Sequence, residues 1–310
     1  MRVFVTGASG WIGSAVVPEL IHAGHQVSGL ARSDSSAAAL AAAGVEVYRG
    51  SIDDLEVLHE AAAASQGVIH LAFDHSMAFS GNFAGAADAD RRAVETIGEA
   101  LAGSNRPLVV AGGLLGTAPG RAAVETDEPN IAQLGGGPAA RLATAQYTRS
   151  LASRGVRSVI VRLSPTVHGE GDHGFMARVI AIARETAVSA YIADGTNRWP
   201  AVHVLDAARL FRLALESAPA GSTLHGAADE GVQLKAIAEV IGRHLNVPVA
   251  SISPEEAAGH FTWLAHFLAM DSPASSAFTR ELLGWQPTHP GLIDDLNLSH
   301  YFQAPAAARY

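Results

Sequence analysis

Three glycines spaced three apart, Gly7, Gly10 and Gly13, carry the clearest chemical signal in the sequence. They lie in the stretch Gly7-Ala8-Ser9-Gly10-Trp11-Ile12-Gly13, between an apolar run and a segment with helical periodicity, which suits the phosphates of a dinucleotide. Gly7 permits a tight exit from a strand, and Gly10 lets the backbone come close to a pyrophosphate. Gly13 lets the next helix pack against the sheet. The amides of Ser9, Trp11 and Ile12, with the positive end of that helix, would hold the phosphate oxygens. A glycine-rich turn that binds nothing is the plain alternative, and the flanking strand and helix weigh against it.

Other residues of the right type follow at telling positions. An acid at the end of the second strand would bond both ribose hydroxyls of NAD, but Arg32 and Ser33 stand there instead. A guanidinium pairs with a 2′-phosphate in a fork, which makes NADP the first choice and NAD the second. Arg32 as a solvated loop residue, with Ser33 only capping a helix, is the competing reading. Asp53, after the third strand, could accept from an adenine amino group or cap its own helix. Leu71, Ala72 and Phe73 end the fourth strand and would run past the cofactor, and Asp74 and His75 would open towards a substrate. His168, in the segment Pro165-Thr166-Val167-His168-Gly169, is a usable acid near neutral pH. His203 reads rather as a hydrogen-bonded core residue. With 14 histidines in the chain, a satisfied structural role competes for each. No histidine or carboxylate spacing suggests a metal site.

These residues must be held by alternating strands and helices. Arg2–Thr6, Gln26–Leu30, Val45–Tyr48, Gly67–Ala72 and Arg106–Ala111 read as buried parallel strands, with helices between them and a long amphipathic one over Asp88–Ala102. A sixth strand ends at Arg162-Leu163-Ser164-Pro165. Later segments read as helices over Asp172–Glu185, Leu205–Ser217 and Gln233–Leu245, with strands at Val188–Ile192 and Ser222–His225. Ser253 and Pro254 open another helix. Beyond it Phe261, Trp263, Leu264, Phe267, Leu268 and Met270 form the richest aromatic cluster, either a wall over an apolar substrate or the core of a small domain.

Composition narrows the function classes. The chain has 310 residues, 48% hydrophobic, enough for a large core, and no cysteine, which excludes disulfides, thiol nucleophiles and cysteine-ligated metals. A net charge of −9 without a basic run argues against nucleic acid as partner. No apolar stretch approaches the roughly 20 residues of a membrane span. The chain opens on a core strand without a signal-peptide pattern, so a cytoplasmic protein is expected.

The order of strand, glycine turn, helix and strand, with Asp53, His70-Leu71-Ala72 and Arg162-Leu163-Ser164-Pro165, resembles the extended short-chain dehydrogenase/reductases, and among them the NAD-dependent epimerase/dehydratase-like members. Asp194-Gly195 and Arg198–Asp206 extend the likeness, which covers about residues 1 to 215. It implies an α/β fold: a Rossmann-type doubly wound parallel sheet with helices on both faces and a smaller C-terminal α/β substrate region. Residues 1–165 would bind NAD(P), and 166–310 would mainly bind substrate, with about 188–215 returning to the first domain. It further implies hydride transfer on a small-molecule substrate, a loop 165–169 with Pro165 and Val167 beside the nicotinamide, and a possible homodimer through the helices after strands four and five.

In that family a Ser or Thr after strand five and a Tyr-x-x-x-Lys pair handle the proton. This chain departs from both. Strand five runs into Ala111-Gly112-Gly113 with no hydroxyl before Thr117, and Tyr147 is followed four residues later by Leu151. Counting back from Arg162 places Arg141 at the lysine position, where it could bond the nicotinamide ribose but not exchange protons. His168, Tyr147, Asp74 and His75 remain as candidate proton donors. The expected activity is an NAD(P)-dependent oxidoreductase on a small carbonyl or alcohol. A non-redox dinucleotide sensor or scaffold, and a lyase or isomerase on the same fold, are the alternatives.

Overall fold

Buried β-branched strands and the helices between them fix the architecture of the chain. The computed structural model describes residues 1–129 and 136–303. A seven-stranded, all-parallel sheet contains β1 (Arg2–Thr6), β2 (Gln26–Ala31), β3 (Glu46–Arg49), β4 (Gly67–His70), β5 (Pro107–Gly113), β6 (Arg157–Leu163) and β10 (Ser222–Gly226). From edge to edge the order is β3-β2-β1-β4-β5-β6-β10. The order reverses between β1 and β4, where a doubly wound sheet opens its ligand crevice.

The alternation of strand side chains supplies both faces of this sheet. Val3 and Val5 pack under the helices Gly13–His22 and Val204–Ser217, whereas Phe4 packs with Leu58, Val94 and Ile97 of the helices Leu55–Ala64 and Phe83–Leu101. All three strand residues are fully buried. The long helix begins at Phe83 rather than at the expected Asp88, because Asn82 caps it, its side chain accepting from the Gly85 amide at 3.0 Å.

The smaller region holds two short sheets. β7 (Thr166–His168) and β11 (Asp229–Gln233) flank β9 (Arg198–His203), and β12 (Val249–Ile252) pairs with β8 (Ser189–Ile192). Trp199, Phe261, Leu264 and Leu292 lie in its core. Within 188–215 the helix Val204–Ser217 packs against the large sheet, whereas β8 pairs with β12 in the small region. The strand that joins the large sheet is β10, beside β6. Among the described residues no helix is long and apolar enough to cross a membrane.

The close approach at the glycine turn yields a stability test. A Cβ on Gly13 would lie 2.1 Å from the Gly7 carbonyl oxygen. Gly13→Ala is expected to cost about 3 kcal/mol or more in urea unfolding. Gly24→Ala, at φ +81 but with nothing within 4 Å of the added atom, is the control, at about 1–2 kcal/mol. Equal costs for the two would show that close packing at Gly13 is not the constraint.

Candidate active site

The glycine turn sits at the C-terminal edge of β1. Gly7 has φ +67, and a Cβ there would lie 2.8 Å from the Ala72 amide nitrogen, so the turn packs directly on the end of β4. The Gly10 amide donates to Gly7 O at 2.9 Å and the Ser14 amide to Gly10 O at 2.8 Å. The Trp11 and Ile12 amides between them have no backbone partner among the described residues. A bare, close-packed turn leading into a helix fits a pyrophosphate, so these residues suit a dinucleotide. The Trp11 indole N–H donates to Val167 O at 2.8 Å, which ties the turn to the segment Pro165–Val167.

Behind the turn runs a buried polar chain. The Thr6 hydroxyl oxygen accepts from the Leu71 and Ala72 amides at 3.2 and 3.3 Å. Its own proton is therefore free to go to His70 Nδ1, 2.8 Å away. His70 Nε2 is then the donor to Asp90 Oδ1 at 3.2 Å, and Arg141 Nη1 meets the same oxygen at 2.7 Å. Asp90 is 1% exposed. Burial works to raise its pKa, but Arg141 and His70 outweigh it and hold the carboxyl below its ordinary value. Arg141 also donates to Ala111 O at the end of β5 and lies 4.2 Å over the Phe73 ring. The structure thus brings together Gly7, Leu71, Ala72, Phe73 and Arg141, which the sequence singled out. Asp90 and Thr6 were missed, although an acid at 90 interrupts the apolar stripe of Ala86, Ala87, Ala93, Val94 and Ile97.

At the adenosine end, Arg32 is 76% exposed and lies 3.6 Å from Asp74. Ser33 caps the helix Asp34–Ala42 by accepting from the Ser36 amide, and Arg49 donates to Ser33 O at 2.6 Å and pairs with Asp34. Two guanidiniums therefore flank this turn, with Asp34 as the opposing charge. Asp53 is held by Arg92 at 2.9 Å, and Asp54 rather than Asp53 takes the Ser51 amide.

The candidate proton donors separate. Asp74 accepts from the Ser76 hydroxyl and the Met77 amide, which keep it a carboxylate below its usual range. His75 lies edge-on to Phe73 at 5.0 Å, and desolvation of its ring by the surrounding protein, followed by the charge of Arg141, lowers its pKa. Tyr147 lies elsewhere, with Arg154 at 3.5 Å and Arg91 at 5.8 Å from its ring; burial and the neighbouring Glu95 and Glu99 push its pKa up. The expectation for His168 is corrected as well. It lies on a strand, fully buried, with Nδ1 2.8 Å from Asp295, because residues 289–301 fold over β7. The imidazole that this loop does expose is His173, edge-on to Trp11 at 5.8 Å.

A second polar group anchors that loop. Tyr301 donates to Asp172 at 2.9 Å and accepts from the Gly169 amide. His203 stacks on His289 at 4.7 Å and lies edge-on to His168, and His289 pairs with Asp206 at 3.0 Å. Burial and the two other imidazoles push His203 down to about 4.

The family model described as NAD dependent epimerase/dehydratase family matches residues 3–225, and the chain belongs to that family, which is of the extended short-chain dehydrogenase/reductase type. An uncharacterized protein of Schizosaccharomyces pombe is 46% identical over 310 residues, covering 97% of this chain and 100% of that one. The 3-diazoavenalumate denitrifying reductase of a Streptomyces species is 29% identical over 314 residues, covering 96% and 99%. Among solved structures, the UDP-glucose 4-epimerase of Thermotoga maritima with UDP-glucose superposes with TM-score 0.78 at 21% identity, over 97% and 98% of the chains. MoeE5 in complex with UDP-glucose and NAD gives 0.74 at 22%, over 96% of each.

Two pH-dependent stability differences follow. Asp90→Asn is expected to cost about 3 kcal/mol at neutral pH, since it leaves Arg141 without its buried counter-charge. The Asp90 pKa is depressed on folding, so the wild-type advantage is full above the ordinary carboxylate pKa near ~4 and is lost as pH falls through the lower folded value. A gap that persists in strong acid would refute the charge pairing. For His203 the unfolded chain binds the proton more readily than the native one. Its contribution is therefore full above roughly 6.5 and lost as pH drops towards about 4. Thermal melts of His203→Gln are expected to be flatter than wild type across that window.

Proposed function

We propose that the chain is an NAD(P)-dependent oxidoreductase of the extended short-chain dehydrogenase type acting on a small carbonyl or alcohol, with NADP preferred. The observation that supports it is the placement of Arg141: a fixed cation at the end of β5, neutralised from below by Asp90 and covering Phe73 beside the glycine turn. A bound nicotinamide supplies hydride transfer there. The turn residues Gly7, Ser9, Gly10, Trp11, Ile12 and Gly13 would hold the pyrophosphate, and Leu71, Ala72, Phe73, Pro165 and Val167 would wall the nicotinamide end. Arg32 and Ser33 would take a 2′-phosphate, since the Arg32 pairing with Asp74 is long and exposed enough to be exchanged for phosphate. Asp53, if Arg92 released it, would reach the adenine.

Arg141 would orient the ribose and the substrate oxygen but exchange no proton. That task falls to His75, the candidate donor beside Phe73 and within the field of Arg141. Its lowered pKa leaves it neutral at pH 7, ready to take a proton from an alcohol and needing acid to give one to a carbonyl. The remote Tyr147 and buried His168 are left structural, and Asp74 acts as a cap and as partner of Arg32. The distant relative named as a reductase supports redox chemistry on this scaffold.

Calorimetric titration with NADPH and NADH tests the reading. NADPH is expected to bind more tightly, and Arg32→Ala to weaken NADPH about tenfold while leaving NADH unchanged, consistent with loss of one charge-assisted phosphate contact. With a substrate from a carbonyl screen, reduction is expected to speed up as pH falls below the ordinary imidazole range, and His75→Gln to remove that slope. Binding of NADPH with no oxidation across the screen would favour a sensor. Product formed without cofactor consumption would favour a lyase or isomerase.

A further inference from the structure

The aromatic cluster between residues 261 and 270 divides between core and surface. Phe261, Leu264 and Leu268 are buried, whereas Trp263 is 39% exposed and Phe267 is partly buried. Phe175 sits against this outward pair, 5.9 Å from Trp263 and 5.6 Å from Phe267, and 5.6 Å from the fully buried Trp199. Trp263 meets Phe267 edge-on at 6.0 Å. Four rings thus form one wall, with Trp199 as its base.

Two stretches of chain connect that wall to the cofactor turn. On one side Trp11 contacts His173, two residues before Phe175. On the other, β5 leaves the Arg141 contact at Ala111 and reaches Leu115, which packs on the small-region core. The next residue, Gly116, donates its amide to Ser272 Oγ at 2.9 Å, just beyond the aromatic segment. Two chain segments thus lead from the glycine turn and from the Arg141 contact to the ring wall.

The charges nearby point the same way. Arg198 is forked onto Asp271 through Nε and Nη2 at 3.1 and 2.9 Å, and its amide donates to the same carboxylate. Lys235 lies over the Tyr191 ring at 5.7 Å. Arg198, the guanidinium beside Trp199 in the chain, is thus committed to Asp271, and a diphosphate needs cations to spare. Flat π-systems, by contrast, gain from stacked and edge-on contact with such rings.

We propose that this wall is an aromatic slot and that the substrate is an aryl or conjugated carbonyl compound, or the matching alcohol, rather than a nucleotide sugar. The proposal deepens the oxidoreductase reading and rests on it for the reacting group. Phe175, Trp263 and Phe267 hold the flat part of the substrate, and its oxygen then lies towards Arg141 and His75.

Calorimetry without turnover decides the matter. Wild type, with and without saturating NADP⁺, is titrated with cinnamaldehyde, n-butanal and UDP-glucose. Cinnamaldehyde is expected to bind at least about tenfold more tightly than the other two, and Trp263→Ala and Phe267→Leu to weaken it about tenfold, with NADP⁺ affinity unchanged. Tighter binding of UDP-glucose, no selectivity in wild type, or variants that fold but bind cinnamaldehyde as wild type does would each overturn the slot. If a variant fails to fold by circular dichroism, the wild-type selectivity decides alone. Cinnamaldehyde bound but not reduced with NADPH would sink the oxidoreductase reading and leave the slot standing.

Discussion

A carboxylate with almost no access to water sets the terms for the half of the molecule that carries the glycine turn. Asp90 is buried in the middle of the long helix Phe83–Leu101, where an unpaired charge would cost several kcal/mol. Its two partners come from opposite directions. His70 ends β4 and bonds back to Thr6 beneath the glycine turn, and Arg141 comes from the next helix and touches the end of β5. One acid therefore fixes, relative to each other, the strand that carries the turn, the strand beside it and the cation above the cleft. The arrangement also separates holding a cation from exchanging a proton. A lysine in that place could do both, whereas a guanidinium does only the first.

The smaller region is tied to this frame at several points, among them the loop after β6 and the bond from Gly116 to Ser272. Trp11 of the turn bonds Val167, and the residues after it are pinned by Tyr301 and Asp172. The polar side chains there, His168, His203, His289, Asp206 and Asp295, form a largely buried chain of contacts, so this junction is held by ionisable groups as well as by apolar packing.

The half built on the large parallel sheet was the legible half. Short β-branched runs, the glycine spacing and the switch from period two to helical period identify β1 to β6 and the turn, because those signals are local. Arg141 was reached by counting along a helix and strand whose lengths are themselves regular. Tyr147 and His168 show where local signals stop. Their types suggested chemistry, but which way they face depends on partners far along the chain, Arg154 and Glu99 around one and Asp295 on the other. Asp90 was readable in principle as an acid inside an apolar stripe. The short strands β7, β11 and β12 were not, since three to five residues with mixed polarity carry no period and form only when a partner strand arrives.

The same long-range pairing bears on how the polypeptide is assembled as it leaves the ribosome. The frame around Asp90 is complete once residue 163 has emerged, and β10 seals the edge of the large sheet by residue 226. His168 and Asp206 must wait much longer, because the groups that satisfy them lie at 288, 289 and 295. Until then both regions keep polar groups exposed that the native state buries, and the core of the large sheet still lacks Trp285. Burial of these groups is therefore completed only by the last elements of the chain, once Asp295 is in place.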